Sequence, residues 1–230
     1  YCVALARAGA QIVAADRLAC EETQAKVQAV GGEVQVVTVD VTDAQSAQAM
    51  AAQALHAFGR IDILVNNAAL YGGLRATPFD QIAEAEWDQV MSVNVKGIWN
   101  CCKAVVPAMK QQGKGKIVNV SSAAIWGGVP FLLHYIASKG AVFALTRSLA
   151  RELSGTGINV NSIMPGYTLT DATTSLVDPE TLSGLQQSIV AAQIIKRNAQ
   201  PADLSGTVVF LASDDSEFIT GQAITVNGGE

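Results

Sequence analysis

Tyr135 and Lys139 stand four residues apart in HYIASKG, residues 134 to 140, at the head of a run, YIASKGAVFALTRSLARELSG, with the apolar spacing of a buried amphipathic helix. Side chains at i and i+4 share one helix face, their Cβ atoms roughly 5 to 6 Å apart, so a phenol and an ammonium reach the same point in space. A free tyrosine titrates at about 10 and keeps its proton at neutral pH. An ammonium about 5 Å away, at an effective dielectric of about 20, stabilises the phenolate by roughly 3 kcal/mol, or about two pKa units. Desolvation opposes that shift and a second cation would assist it. The expectation is a tyrosine within reach of neutrality, able to trade a proton with an alcohol or carbonyl oxygen. Ser122 lies 13 residues before Tyr135, where its hydroxyl could hold the same oxygen.

These groups need a scaffold, and the chain alternates strand and helix patterns. QIVAAD, EVQVVTVD, IDILVNN, GKIVNVS, INVNSIM and QAITVN are short runs rich in β-branched residues, separated by longer segments of helical period. Gly9, Gly31 and Gly32 follow helical runs, and Asp43 is placed to cap the helix that begins AQSAQAM. Such alternation predicts an α/β fold, a doubly wound parallel sheet of Rossmann-like type with helices on both faces, in a single domain, residues 1–230. Ligands of such sheets collect beyond the carboxyl ends of the strands. There the sequence places Asp16, then Asp40 and Val41, then Asn66-Asn67-Ala68-Ala69, Ser121-Ser122, and Pro165 to Thr170. Asp16, ending the second strand of a dinucleotide fold, could accept hydrogen bonds from ribose hydroxyls and repel a 2′-phosphate, favouring NAD over NADP; an exposed loop aspartate is the alternative. Asn67 could meet a ligand or tie neighbouring strands together. Ser121 and Ser138 read as structural.

Composition excludes several function classes. With 230 residues, half of them hydrophobic, the chain can build a sizeable core, and a net charge of −5 offers no basic face for nucleic acid or an anionic membrane. Lys103, Lys110, Lys114 and Lys116 cluster at one helix end, where cations suit the dipole. Four cysteines without a CxxC pair, and no secretory leader, read as a reducing, cytoplasmic setting. Two distant histidines make a metal site improbable, and no apolar run is long enough to span a membrane.

Ser122, Tyr135 and Lys139, together with Asn94 in MSVNVKG, NNAA at 66 to 69, PGYTLT at 165 to 170 and the closing ITGQAITVNGG, resemble the short-chain dehydrogenase/reductase family along essentially the whole chain. That resemblance implies an NAD(P)-dependent oxidoreductase in which Tyr135 is the acid/base and Lys139 binds the nicotinamide ribose and lowers the tyrosine pKa. It implies that Ser122 positions the substrate oxygen and that Asn94 holds a water linking Lys139 to solvent. It puts Asp40 and Val41 at the adenine, Asn66 and Ala68 along the adenosine ribose, Thr168 and Thr170 at the nicotinamide amide, and Pro165 and Gly166 also against the cofactor.

Two departures from the family pattern stand out. Asn227 replaces a common aspartate. The family opens with a strand, a TGxxxGxG turn and a helix, whereas this sequence begins at Tyr1 inside what reads as that helix. The expectation is that about 15 to 25 further residues lie upstream, enough for one strand and one turn. Without them, a gap one strand wide should separate the strands ending near Asp16 and Asn66, with about 4.8 Å pairing room on each side.

Ala123, Trp126, Val129, Phe131 and Tyr167 form the expected substrate wall, mostly apolar and aromatic, and residues 171–200 the expected lid. The small-molecule substrate is then an apolar or aromatic secondary alcohol or ketone, resembling bacterial members that act on aryl alcohols such as 1-phenylethanol. Two alternatives are an NADPH-dependent 3-oxoacyl-carrier-protein reductase and a non-catalytic dimerisation or binding remnant. The run EAEWDQVMSVNVKGIWNCCKAVVPAMK, read as one helix, carries Val90, Val93, Ile98, Trp99, Cys102, Val105 and Met109 around more than one face, which predicts a homotetramer or at least a homodimer.

Overall fold

The computed structural model describes residues 1–174 and 179–230. The six strand patterns all form strands: β1 (Ile12–Asp16), β2 (Val34–Thr38), β3 (Ile63–Asn66), β4 (Gly115–Val120), β5 (Ile158–Pro165) and β6 (Ala223–Val226). Between and around them lie α1 (Cys2–Arg7), α2 (Glu21–Gln28), α3 (Ala44–Phe58), α4 (Glu84–Met91), α5 (Gly97–Gln112), α6 (Ala124–Gly127), α7 (Leu133–Glu152), α8 (Asp171–Thr174), α9 (Pro179–Ala192) and α10 (Pro201–Ala212). Local chemistry sets several boundaries. Asp43 accepts a hydrogen bond from Gln45 N at 2.9 Å and starts α3, which Gly59 ends in the left-handed conformation. A reciprocal Gln200 and Asp203 capping box, with Pro201 in the first turn, starts α10. The expected lid, 171–200, is α8 and α9 where it is described; its residues 175–178 lie outside the described residues.

All strand pairs are parallel, with β1 beside β2 and the order β3-β4-β5-β6 in a second sheet. β1 and β3 do not pair with each other, and a cavity of about 810 Å³ lies between them, walled by Ile12 to Asp16 on one side and Ile63 to Asn66 on the other. The strands ending at Asp16 and Asn66 therefore stand apart, as the sequence led one to expect. Helices cover both faces. On one, Ile117 packs with Ile98, Cys102, Val105 and Met109 of α5 and Val142 of α7; on the other, its neighbour Val118 packs with Leu5, Val27, Val208 and Leu211. That two-residue alternation on a strand buried from both sides is what two helical layers require.

Two expectations are corrected. The run from Glu84 to Lys110 is not one helix: a π-helical turn, Ser92–Lys96, interrupts it between α4 and α5. The extra residue in that turn carries Asn94 inward, where its amide is wholly buried, donating twice and accepting once. Nor does the run carry a full second apolar face. Val90, Ile98, Cys102, Val105 and Met109 all enter the core, Val93 is half-buried, and Trp99, 50 % exposed with the Lys103 ammonium 4.2 Å over its ring, is left outside.

Candidate active site

The carboxyl edge of the sheets gathers the predicted residues. Asp16 and Asn66 end β1 and β3, Ser122 follows β4, and Pro165 ends β5. The first two turns of α7 bring Tyr135 and Lys139 beneath that edge. Two seams hold α7 there. The Ser121 hydroxyl donates to Lys139 O at 2.8 Å, and the Lys139 ammonium donates to Val120 O, also at 2.8 Å. From the other side, Asn94 donates to the Ser138 hydroxyl at 3.0 Å, and Ser138 donates to Tyr135 O at 2.6 Å. Asn94 also accepts from Leu70 N at 2.7 Å and donates to Leu70 O at 3.2 Å, fastening the loop after β3 to the same unit.

Tyr135, Ser122 and Lys139 are thus brought together. The Ser122 hydroxyl lies close enough to the Tyr135 phenol to draw its titration down, and the Lys139 nitrogen lies 5.7 Å from the centre of the Tyr135 ring. The electrostatics run against the expected direction. Burial pushes the Tyr135 phenol well above its ordinary value, with Tyr71 adding to the rise and the Ser122 hydroxyl pulling back. The same burial lowers Lys139 to about 8. Desolvation therefore dominates at both groups, since phenolate and ammonium are each short of solvation here, Lys139 being only 3 % exposed.

The residues expected at the cofactor divide into open and engaged groups. Asp16 is exposed and uses one oxygen on Leu18 N at 2.9 Å, leaving the other free. Asp40 is exposed and accepts from the Thr42 amide and hydroxyl, which hold its carboxyl below the usual range. Val41 lines the cavity beside Ala68, and Gly97 lies so near it that an added Cβ would come within 2.7 Å of the valine. Asn66 is a correction: its buried amide donates to Asn119 Oδ1 at 2.8 Å, and Asn119 donates on to Thr146, so this side chain ties β3 to β4 and to α7. The exposed amide is that of Asn67, which lines the cavity with Ala68.

At the other end, Gly166 packs against Asn227, whose Cβ and Cα would lie 2.7 and 2.8 Å from any Cβ placed there, so only glycine fits. The Thr168 hydroxyl donates to Gly166 O, and the Thr170 hydroxyl accepts from Thr173 N to start α8. Of the expected substrate wall, Ala123 is buried and Tyr167 half-buried, whereas Trp126, Val129 and Phe131 are exposed and Trp126 packs edge-on against Phe143. Phe131 holds φ 65°, an uncommon conformation for an aromatic residue. One site residue escaped the sequence reading: Tyr71, from the loop after β3, lies against Tyr135 with ring centres 4.7 Å apart. It stands only two residues beyond NNAA, but no periodicity or spacing in that loop marks it as facing Tyr135.

A nicotinamide dinucleotide suits this donor set: a free carboxylate oxygen on Asp16, the cavity wall at Val41, Asn67 and Ala68, and a buried ammonium beside a phenol. No helix among the described residues is long and apolar enough to cross a membrane, and none of their His, Cys, Asp or Glu side chains group to hold a metal.

A family model described as enoyl-(acyl carrier protein) reductase matches residues 2–230. The chain is 38 % identical over 204 residues to 3-oxoacyl-[acyl-carrier-protein] reductase FabG of Staphylococcus aureus, covering 89 % of this chain and 80 % of that protein. It is 41 % identical over 232 residues to an uncharacterized oxidoreductase of Mycobacterium tuberculosis, covering all of this chain and 91 % of the other. A 7α-hydroxysteroid dehydrogenase solved with NADH and 7-oxo glycochenodeoxycholic acid superposes with a TM-score of 0.92 at 32 % identity, over 99 % of this chain and 87 % of that one.

Proposed function

Because this chain belongs to the short-chain dehydrogenase/reductase family and is an oxidoreductase, we propose that it moves hydride between a nicotinamide cofactor, NAD in preference to NADP, and an apolar or aromatic secondary alcohol or ketone. The observation that carries this reading is the cluster of half-buried Tyr135 with buried Ser122 and Lys139. The bound cofactor supplies or accepts the hydride. Tyr135, neutral at physiological pH, donates its proton to the carbonyl oxygen that Ser122 holds, and takes one back in the oxidative direction. Lys139 spends one N–H on Val120 O and keeps two for ribose hydroxyls. Both N–H groups of Asn94 are engaged, so it offers a water only one acceptor lone pair and acts chiefly by fixing Leu70 and Ser138.

Asp16 supports NAD, since a carboxylate there repels a 2′-phosphate. Acetophenone reduction should show kcat/KM at least about tenfold higher with NADH than with NADPH, and Asp16→Ala should narrow the ratio. The identity to 3-oxoacyl-[acyl-carrier-protein] reductase favours a second reading, reduction of a 3-oxoacyl thioester with NADPH. An NADPH preference combined with faster turnover of acetoacetyl thioesters than of acetophenone would move the assignment there.

A further inference from the structure

Three phenols meet where the loop after β3, the start of α7 and the turn after β5 converge, and only Tyr135 has a part in the proton transfer. Tyr71 lies against it with ring centres 4.7 Å apart and planes tilted 40°. Tyr167 comes near enough to Tyr71 for its charge to be felt there. The Tyr167 hydroxyl is shut off from solvent and has no hydrogen-bond partner among the described residues. Buried hydroxyls are nearly always bonded, so one without a protein partner beside a reacting centre points to a ligand atom.

We propose that Tyr71 and Tyr167 form a second oxygen-binding point beside Tyr135, and that the substrate carries a second oxygen acceptor a few bonds from the carbon that exchanges hydride. The inference rests on the hydride-transfer reading above and narrows its substrate. The first oxygen belongs to Ser122 and Tyr135, whose hydroxyls lie close enough to act on one another. Lys139 is held by Val120 O, away from the Tyr167 hydroxyl's unmet need. Burial keeps the Tyr71 phenol protonated, raised to about 12, so it serves as a neutral donor throughout the working pH range. Two neutral donors suit an ester, thioester, ketone or hydroxyl oxygen. A site built to bond a substrate oxygen discriminates strongly against an analogue that lacks it.

The test compares ethyl 3-oxobutanoate with 2-octanone, similar in size and differing in the second oxygen function, using NADH and NADPH. The wild-type enzyme should favour the ester in kcat/KM by about tenfold or more, and the isosteric Tyr167→Phe should lower the ester's kcat/KM about tenfold further than the ketone's. Tyr71→Phe should act in the same direction, and the double variant should abolish the preference. Ester affinity, followed by tryptophan fluorescence without turnover, should weaken about tenfold in Tyr167→Phe. Equal losses on both substrates, or unchanged ester affinity, would overturn the second binding point and leave the hydride-transfer reading standing. Failure of either substrate to oxidise NADH or NADPH would count against that reading instead, with the affinity comparison still deciding the role of Tyr167.

Discussion

Tyr135 is a phenol that burial holds in its acid form, and the Ser122 hydroxyl is the one resolved influence that draws it back. Ketone reduction, which needs the acid form, should therefore be flat with pH across neutrality, whereas alcohol oxidation should rise as pH increases. Ser122→Ala removes that pull, so it should cut kcat about a hundredfold and move the oxidation profile to higher pH; a profile unmoved by the substitution would separate Ser122 from the tyrosine's titration. Lys139 titrates at about 8 in the free enzyme, below its unfolded value, so its charge is present below pH 8 and lost as pH rises through it. On the proposed role at the ribose, NADH affinity should fall through about pH 8, and Lys139→Met should weaken binding and erase that dependence. Isothermal titration across pH 6.5 to 9.5 would show a pH-independent wild-type affinity if the role were wrong.

The strands and the Tyr135 helix were legible in the sequence because their apolar runs and capping residues are local signals: Asp43 starts α3 as its position implied, and β4, an almost continuous apolar run, is buried from Gly115 to Asn119. The π-helical turn was not legible. Its residues, SVNVK, continue the helical pattern, and the extra residue is fixed by Asn94 reaching Leu70 and Ser138, partners 24 and 44 positions away. Which of Asn66 and Asn67 ties the strands was not legible for a similar reason, since the strand's pleat decides which amide turns toward Asn119. Asn66→Ala should leave Asn119 short of a buried donor and lower stability by about 1 to 3 kcal/mol. Asn67→Ala, at an exposed position, should change stability by less than about 0.5 kcal/mol and be felt in cofactor affinity. Urea denaturation of the two variants distinguishes the roles, and equal losses would contradict the assignment.

The molecule as a whole is two parallel sheets whose facing edges, β1 and β3, stand either side of an apolar-walled cavity of about 810 Å³. Unpaired buried backbone groups cost about 1 to 3 kcal/mol each against a total domain stability of about 5 to 15 kcal/mol. Residues 1–230 expressed by themselves should therefore be poorly soluble or bind NADH weakly. Micromolar NADH affinity in residues 1–230 would show that the unpaired edges of β1 and β3 do not weaken cofactor binding. The proposed homotetramer or homodimer has exposed Trp99 as its candidate contact on α5, and light scattering at micromolar concentration reads it directly. All of this serves one claim: that Tyr135, placed by α7 at the carboxyl edge, is the proton donor for hydride transfer. Stopped-flow oxidation of NADH by a saturating ketone, wild type against Tyr135→Phe, tests it most directly. The account predicts a rate lower by about a thousandfold with NADH affinity nearly unchanged; a variant that keeps a tenth of the rate would contradict it.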